Sequence, residues 1–109
     1  MRHYEVIILP SAEENISEAY EWIAERDEEA AARWYNRLIG LIPSLETFPE
    51  RAPLAPESKY FNREIREIFH GRRQHKCRIL FTVTEGKVYV LHVRHGARLA
   101  LGESETAED

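Results

Sequence analysis

Cysteine is almost absent from this chain of 109 residues, since Cys77 is the only one. A single cysteine excludes an internal disulfide and fits a reducing compartment, which favours a cytoplasmic protein. The chain also lacks an apolar run near the ~18 residues of a membrane span, and it lacks a signal-peptide pattern. We therefore expect neither insertion into a membrane nor secretion.

Several signatures of enzyme chemistry are missing as well. There is no glycine-rich phosphate loop, no G-x-S-x-G sequence and no paired-cysteine motif. His92 and His95 are three positions apart, and an odd spacing on a strand points them to opposite faces. His75 and Cys77 share a face and could form a metal pair, but Cys77 fits better as a small core residue. We expect no metal site and no small-molecule cofactor.

What the chain does contain is typical of one globular domain, with 43% hydrophobic and 10% aromatic residues. Its charge is unevenly distributed. Residues 59–98 hold ten Lys or Arg and three Glu, a net charge of +7, so the remainder of a chain with −4 overall carries −11. We expect a single domain at residues 1–98 and an acidic, frayed tail at residues 99–109.

The first half of the chain predicts one strand followed by a helical hairpin. Ser11 and Glu14 have the spacing of a capping box for the first helix, and Asp27 is a candidate N-cap for the second. Pro43 lacks the N–H that a continuing helix would need, so we expect a kink or a break there. The predicted strand and helices lie at about residues 3–9, 11–26 and 28–46.

The second half predicts a loop and three strands. Three prolines between residues 48 and 62 indicate an extended loop, and residues 63–70 return to β alternation. Residues 76–98 read as two apolar strands joined by a tight turn, with cations at the open end. The order is therefore β-α-α-β-β-β. It predicts an α+β fold in two layers: an N-terminal strand, a helical hairpin, then a three-stranded antiparallel meander.

The turn of the last hairpin decides which side chains share a face. A two-residue turn at Glu85-Gly86 would place Arg78 beside Val93 and mix charge with core. A three-residue loop at residues 84–86 instead keeps the faces separate, because a one-residue slip reverses a whole strand. We favour the three-residue loop. It sets Arg78 opposite His92 and Lys76 opposite Arg94.

Like charges directly across a strand pair are mildly destabilising, by a few tenths to ~1 kcal/mol. A basic cluster kept despite that cost suggests an anionic partner, and the alternative is a solvated basic face without a role. The candidate residues for binding an anionic partner are Arg66, Lys76, Arg78, His92, Arg94 and Arg98.

Several segments together resemble the RelE/ParE superfamily of toxins from type II toxin–antitoxin systems, also described as plasmid stabilisation proteins. The resemblance covers about residues 2–98. Its most specific parts are FPERAP after the helices, the strand CRILFTV, and the last strand ending in HVRHGAR. The family order of strand, helical hairpin and antiparallel sheet matches the order predicted above.

The resemblance implies a toxin neutralised by a cognate antitoxin, with one of two targets. RelE-like members cleave messenger RNA on the ribosome, whereas ParE-like members inhibit DNA gyrase. For a nuclease, the resemblance points to Arg78 and Arg98 as phosphate-binding residues and His95 as the group that transfers a proton. In a competing interpretation, His95 only hydrogen-bonds a strand end.

The sequence departs from the RelE pattern at two points. Lys59 is the only loose counterpart of the loop lysines, and no tyrosine follows Tyr89. The long helical hairpin is also more similar to ParE. We therefore favour a toxin that binds a protein target such as gyrase. A ribosome-dependent endoribonuclease and a degenerate module that binds only antitoxin are the alternatives.

Overall fold

The computed structural model describes residues 3–71 and 76–95 of the chain. The predicted tail at residues 99–109 lies outside the described residues. The strands are β1 (Glu5–Ile8), β2 (Arg66–His70), β3 (Cys77–Thr84) and β4 (Lys87–His95). The helices are α1 (Pro10–Ala24) and α2 (Glu28–Leu41), and three short 3-10 turns follow them at Ile42–Glu46, Pro49–Arg51 and Pro56–Tyr60. No helix in the described ranges has the length and apolar character that crossing a membrane requires.

The four strands form one sheet in the order β1–β4–β3–β2. β2, β3 and β4 are antiparallel neighbours, which confirms the predicted meander. β1 pairs with β4 in parallel, so the sheet as a whole is mixed. The helical hairpin packs on one face of this sheet, with α1 against β4. The predicted two-layer α+β architecture is therefore confirmed.

The first helix begins differently from the prediction. Pro10 is its first residue, and the N-cap Leu9 makes no side-chain hydrogen bond. Proline suits this position because the N–H that it lacks would have no partner within the helix. The Ser11 hydroxyl donates instead to the Leu91 carbonyl at 2.8 Å. The capping box predicted from Ser11 and Glu14 is therefore wrong, and Ser11 ties α1 to β4.

The second helix begins as the sequence predicts and ends before residue 46, the predicted end. The Asp27 side chain accepts a hydrogen bond from the Ala30 N–H at 3.1 Å, which confirms Asp27 as the N-cap. The α-helix ends at Leu41, and the 3-10 turn that follows contains Pro43. The break expected at this proline is therefore present, since its ring and missing N–H prevent a regular α-helix from continuing.

The β3–β4 hairpin has a two-residue turn, which corrects the predicted three-residue loop. Thr84 pairs with Lys87, so the turn consists of Glu85 and Gly86 alone. Both turn residues have positive φ, 49° for Glu85 and 83° for Gly86. Two consecutive left-handed residues are typical of a type I′ turn, whose twist matches that of the flanking strands.

A β-bulge explains why this turn does not mix charge with core. Leu80 pairs with His92 and Phe81 pairs with Val90, so the ladder skips Leu91. One extra residue reverses the alternation of β4 between its two halves. Val90, before the bulge, can therefore face the core. His92, after the bulge, faces the same side of the sheet as Arg78.

The predicted pairings at the open end of the hairpin are wrong in detail. Arg78 pairs with Arg94, and not with His92, so Lys76 is not opposite Arg94 either. Tyr89 pairs with Thr82 and lies on the face of Arg78, where the three-residue loop would have put it on the opposite one. His92 and Arg94 do share the face of Arg78, as expected.

The two sides of the sheet are covered differently, and we call them the helix face and the loop face. The main core lies on the helix face, and its fully buried residues contribute about 1.5–3 kcal/mol each. These residues include Ile23, Leu38, Leu45, Ile79, Phe81, Val88 and Val90. On the loop face, the segment before β2 covers a smaller cluster formed by Ala55, Ile65, Leu80 and Leu91.

Candidate functional site at the open end of the sheet

Arg78, the first of the predicted catalytic residues, is buried among carboxylates on the loop face. Its side chain lies on β3, and the residue is only 4% exposed. Its Nε donates to Glu67 Oε1 at 2.6 Å, and its Nη1 donates to Glu57 Oε2 at 2.7 Å. A bond from Nη2 to the other Glu57 oxygen makes that contact bidentate. We call Glu57, Glu67 and Arg78 the ion triad.

The ion triad joins three segments of the chain. Glu67 lies on β2 beside β3, and Glu57 lies in the 3-10 turn before β2. The hydrogen bonds that Arg78 donates to Glu57 raise the pKa of Arg78 most. Burial opposes this rise, and Glu67 adds to it. Bidentate pairs between arginine and carboxylate are among the stronger hydrogen-bonded contacts in proteins. A phosphate could reach this guanidinium only by displacing a carboxylate.

Arg94 and His92 are the other predicted residues on the loop face. Arg94 is half-buried directly across from Arg78, and the carboxylates of the ion triad offset the repulsion of the two cations. His92 Nδ1 lies 3.3 Å from Asn15 Oδ1, which also accepts the Val93 N–H at 3.0 Å. Burial lowers the pKa of His92, and the charge of Arg94 lowers it further. Both effects disfavour the charged form of His92, so they weaken its contribution to the positive charge of this face.

His95 lies on the helix face, on the other side of the sheet from Arg78. It pairs with Cys77, which precedes Arg78 on β3, and consecutive strand residues point to opposite faces. Its ring makes edge contacts with Trp22 and Trp34, at centroid distances of 5.2 and 5.9 Å. Arg78 and His95 are therefore at the same end of the sheet but are separated by its thickness.

Cys77 is a core residue, as predicted, because its side chain is completely buried on the helix face. Burial raises the pKa of the Cys77 thiol to about 12, although the Trp34 side chain opposes this, so the nucleophilic thiolate is scarce at neutral pH. Within residues 3–71 and 76–95, no group of three or more His, Cys, Asp or Glu is arranged to hold a metal ion. His75 lies outside the described residues.

Arg66, also predicted to bind an anion, is engaged with the loop before β2. Its Nη1 donates to the Ala52 carbonyl at 2.7 Å and to the Glu50 carbonyl at 3.3 Å. Its Nη2 lies 3.2 Å from Glu64 Oε1. Arg66 pairs with Phe81, so it belongs to the helix face and not to the face of Arg78. Its contacts hold the loop against the sheet.

Lys76 is exposed, and its ammonium lies 4.7 Å from the centre of the Phe69 ring. Arg98 lies outside the described residues. The predicted anion-binding residues that the structure brings together on one face are therefore Arg78, His92 and Arg94, with Lys76 beside them over Phe69. Any catalytic or anion-binding role of these residues stays a prediction.

Comparison with known families decides the class of this chain. A family model described as the ParE toxin of the type II toxin–antitoxin system, parDE, matches residues 6–100. The chain belongs to this family. This confirms the expected membership of the RelE/ParE superfamily and makes the chain a toxin of a type II toxin–antitoxin system, for which the family implies a cognate antitoxin as partner.

A solved structure supports the fold of this ParE-family toxin. The structure is described as a chromosomal ParDE toxin–antitoxin system from P. aeruginosa, and it matches with a TM-score of 0.69. The match covers 86% of this chain and 97% of that chain at 12% sequence identity, so the likeness concerns the fold alone. A search of curated proteins finds no match.

The two glutamates of the ion triad were not predicted from the sequence of this ParE-family toxin. Glu67 has a signal in retrospect, because its spacing from Phe69 puts both on one face of β2, and Phe69 pairs with Arg78. Glu57 has no such signal, since it lies in a proline-rich segment without periodicity. Only the folded path of that segment brings Glu57 to Arg78.

Proposed function

We propose that this ParE-family toxin acts by binding a protein target, DNA gyrase, and not by cutting RNA, and that a cognate antitoxin neutralises it by covering its surface. The proposed target implies a cytoplasmic site of action. A role in plasmid stabilisation would follow if a plasmid encodes the pair.

The observation that carries this proposal is the state of Arg78. Cleavage of RNA through its 2′-hydroxyl needs cations that can contact the scissile phosphate. Three donor nitrogens of Arg78 are already bound to Glu57 and Glu67 at 2.5–2.7 Å, and the side chain is buried. The two carboxylates of the ion triad balance the charges of Arg78 and of Arg94 across from it, so these four side chains offer no net positive charge to a phosphate.

His95 gives a second reason against a catalytic pair on this sheet. A general base or acid must come within hydrogen-bond reach of the proton that it transfers. The His95 ring lies against Trp22 and Trp34 on the helix face, while Arg78 lies on the loop face. One phosphate could not contact both side chains without a rearrangement of the sheet.

Expression of the toxin in cells, with and without its cognate antitoxin, tests the proposal. We expect growth arrest that the antitoxin reverses, a reporter plasmid with reduced negative supercoiling, and intact messenger RNA by primer extension. Cuts within ribosome-bound messages, together with normal supercoiling, would favour the endoribonuclease. Growth that continues unchanged would favour a degenerate module that binds only antitoxin.

A further inference from the structure

Two adjacent aromatic rings project from the 3-10 turn before β2. Tyr60 is 74% exposed and Phe61, the next residue, is 57% exposed. Single exposed apolar residues are common on protein surfaces, but large aromatic side chains are enriched among the residues that dominate binding energy at interfaces. These two residues, together with Lys59 and Arg63, form a surface that we call the aromatic turn.

The backbone of the aromatic turn is held by several contacts. The Phe61 N–H donates to the Ser58 carbonyl at 3.2 Å, and the Ser58 hydroxyl accepts the Ile65 N–H at 3.0 Å. Glu57, in the same 3-10 turn, binds Arg78 of the sheet through two oxygens. A turn held in this way loses little conformational entropy when its side chains enter a partner.

The aromatic turn carries positive charge at its border. The Lys59 ammonium lies 5.3 Å from the centre of the Tyr60 ring, and Arg63 is exposed. Among the described residues, neither of these cations forms an ion pair with a carboxylate, in contrast to Arg66 and Arg78. Two rings bordered by two available cations complement an apolar pocket with an acidic rim.

We propose that the aromatic turn is the surface through which this toxin binds its protein target, with both rings entering an apolar pocket whose rim is acidic. This inference rests on the proposed function, because it takes the toxic target to be a folded protein. It adds the residues that make the contact and the chemistry of the partner's surface.

Two other occupants fit the aromatic turn less well. An antitoxin tail that becomes ordered only on binding offers no preformed pocket for the two exposed rings of Tyr60 and Phe61. A single-stranded nucleic acid requires a row of cations along its backbone. The nearby arginines Arg66 and Arg78 already bind acceptors within the chain.

The test uses the full-length toxin carrying Tyr60→Ala and Phe61→Ala together. The matched control is Phe48→Ala, which removes an equally exposed ring, 74%, from a different loop. We expect the double variant to lose growth arrest and to need at least ~30-fold more protein for half-inhibition of gyrase, the effect expected when a binding hot spot is removed. The Phe48→Ala control should arrest growth and inhibit gyrase as the wild type does. The thermal unfolding of both variants and their affinity for the purified antitoxin should be unchanged.

A second variant, Lys59→Glu with Arg63→Glu, keeps both rings and reverses the charge. We expect weaker inhibition that becomes less sensitive to salt, because favourable charges act mainly on the rate of association. Full growth arrest by both variants overturns the inference. If the double variant also loses affinity for the antitoxin, the aromatic turn binds the antitoxin. If the wild type binds a labelled oligonucleotide and the double variant does not, the aromatic turn binds nucleic acid. Either result also overturns the inference.

The choice of gyrase as the target can be wrong even if the aromatic turn is the surface that binds the target. A wild-type toxin that arrests growth without inhibiting gyrase refutes gyrase as the target. The comparison of growth arrest between the double variant and Phe48→Ala still decides whether the aromatic turn binds the actual target.

Discussion

Arg78 and Glu57 are 21 residues apart in the chain, and the guanidinium of one binds both carboxylate oxygens of the other. This pair attaches the 3-10 turn before β2 to the open end of β3. It also uses the donors that a phosphate would need. The contacts that anchor this turn are therefore the same contacts that occupy the Arg78 guanidinium.

Replacing Glu57 with Gln should destabilise the fold by about 2–3 kcal/mol, because a buried arginine then keeps only one of its two carboxylates. Chemical denaturation with urea measures the change. The control is Glu64→Gln, which removes the carboxylate that pairs with Arg66 at an exposed position and should cost less than ~1 kcal/mol. Equal effects of the two substitutions would show that the ion triad is not a special contact.

Replacing Asn15 with Ala should cost about 1–2 kcal/mol, since the Val93 N–H just after the β-bulge loses its acceptor. Asn36→Ala, on the exposed side of α2, is the matched control and should change the free energy of unfolding very little. Thermal unfolding of both variants provides the measurement. An unchanged midpoint for Asn15→Ala would mean that this link between α1 and β4 contributes nothing.

Gly86→Ala should destabilise the hairpin by about 1 kcal/mol through backbone strain alone. The φ of Gly86 is +83°, and a Cβ built there would meet no atom within 4 Å, so no clash contributes. Glu85→Asn should have the opposite effect, because asparagine tolerates the left-handed conformation that Glu85 adopts. The account of the turn fails if the thermal midpoints of the two variants move in the same direction.

The stability of the fold should fall as the pH drops below about 6.5. Burial lowers the pKa of His70 from its ordinary value of 6.5, the Trp34 carbonyl opposes this, and the charge of Arg37 lowers the pKa further. The unfolded chain therefore binds a proton at His70 before the folded chain does, so acid favours unfolding in that window. His92, whose pKa is also lowered, contributes with the same sign.

Urea denaturation between about pH 7.5 and about pH 5.5 measures this dependence around the imidazole pKa. His70→Gln should reduce the slope of the free energy of unfolding against pH, since glutamine can still donate to the Trp34 carbonyl but does not titrate. His3→Gln, at an exposed position, is the control. A slope that is equal in wild type and in His70→Gln would contradict the role given to this histidine.

The sequence could predict the features that depend on neighbouring residues. The N-cap at Asp27, the break at Pro43 and the order of the elements all follow from local chemistry, and all are present. The Ser11 capping box failed because Pro10 took the first helical position and a distant carbonyl, that of Leu91, took the hydroxyl. Local rules give no information about such a distant partner.

The hairpin register failed for a related reason. The rule that the two faces must stay separate was correct, but a two-residue turn with a bulge at Leu91 satisfies it as well as a three-residue loop does. The position of a bulge depends on packing against α1 and the loop face, which strand alternation does not encode. The same limit applies to Arg78, since the irregular segment that carries Glu57 gives no signal of where it will lie.

The most direct test of the proposed mode of action is the supercoiling of relaxed plasmid by purified DNA gyrase in the presence of this toxin. We predict that the toxin blocks supercoiling at a concentration comparable to that of gyrase, that the cognate antitoxin restores the activity, and that ribosome-bound messenger RNA stays uncut. Supercoiling that proceeds at every toxin concentration, while the same preparation cleaves ribosome-bound message, would contradict the account.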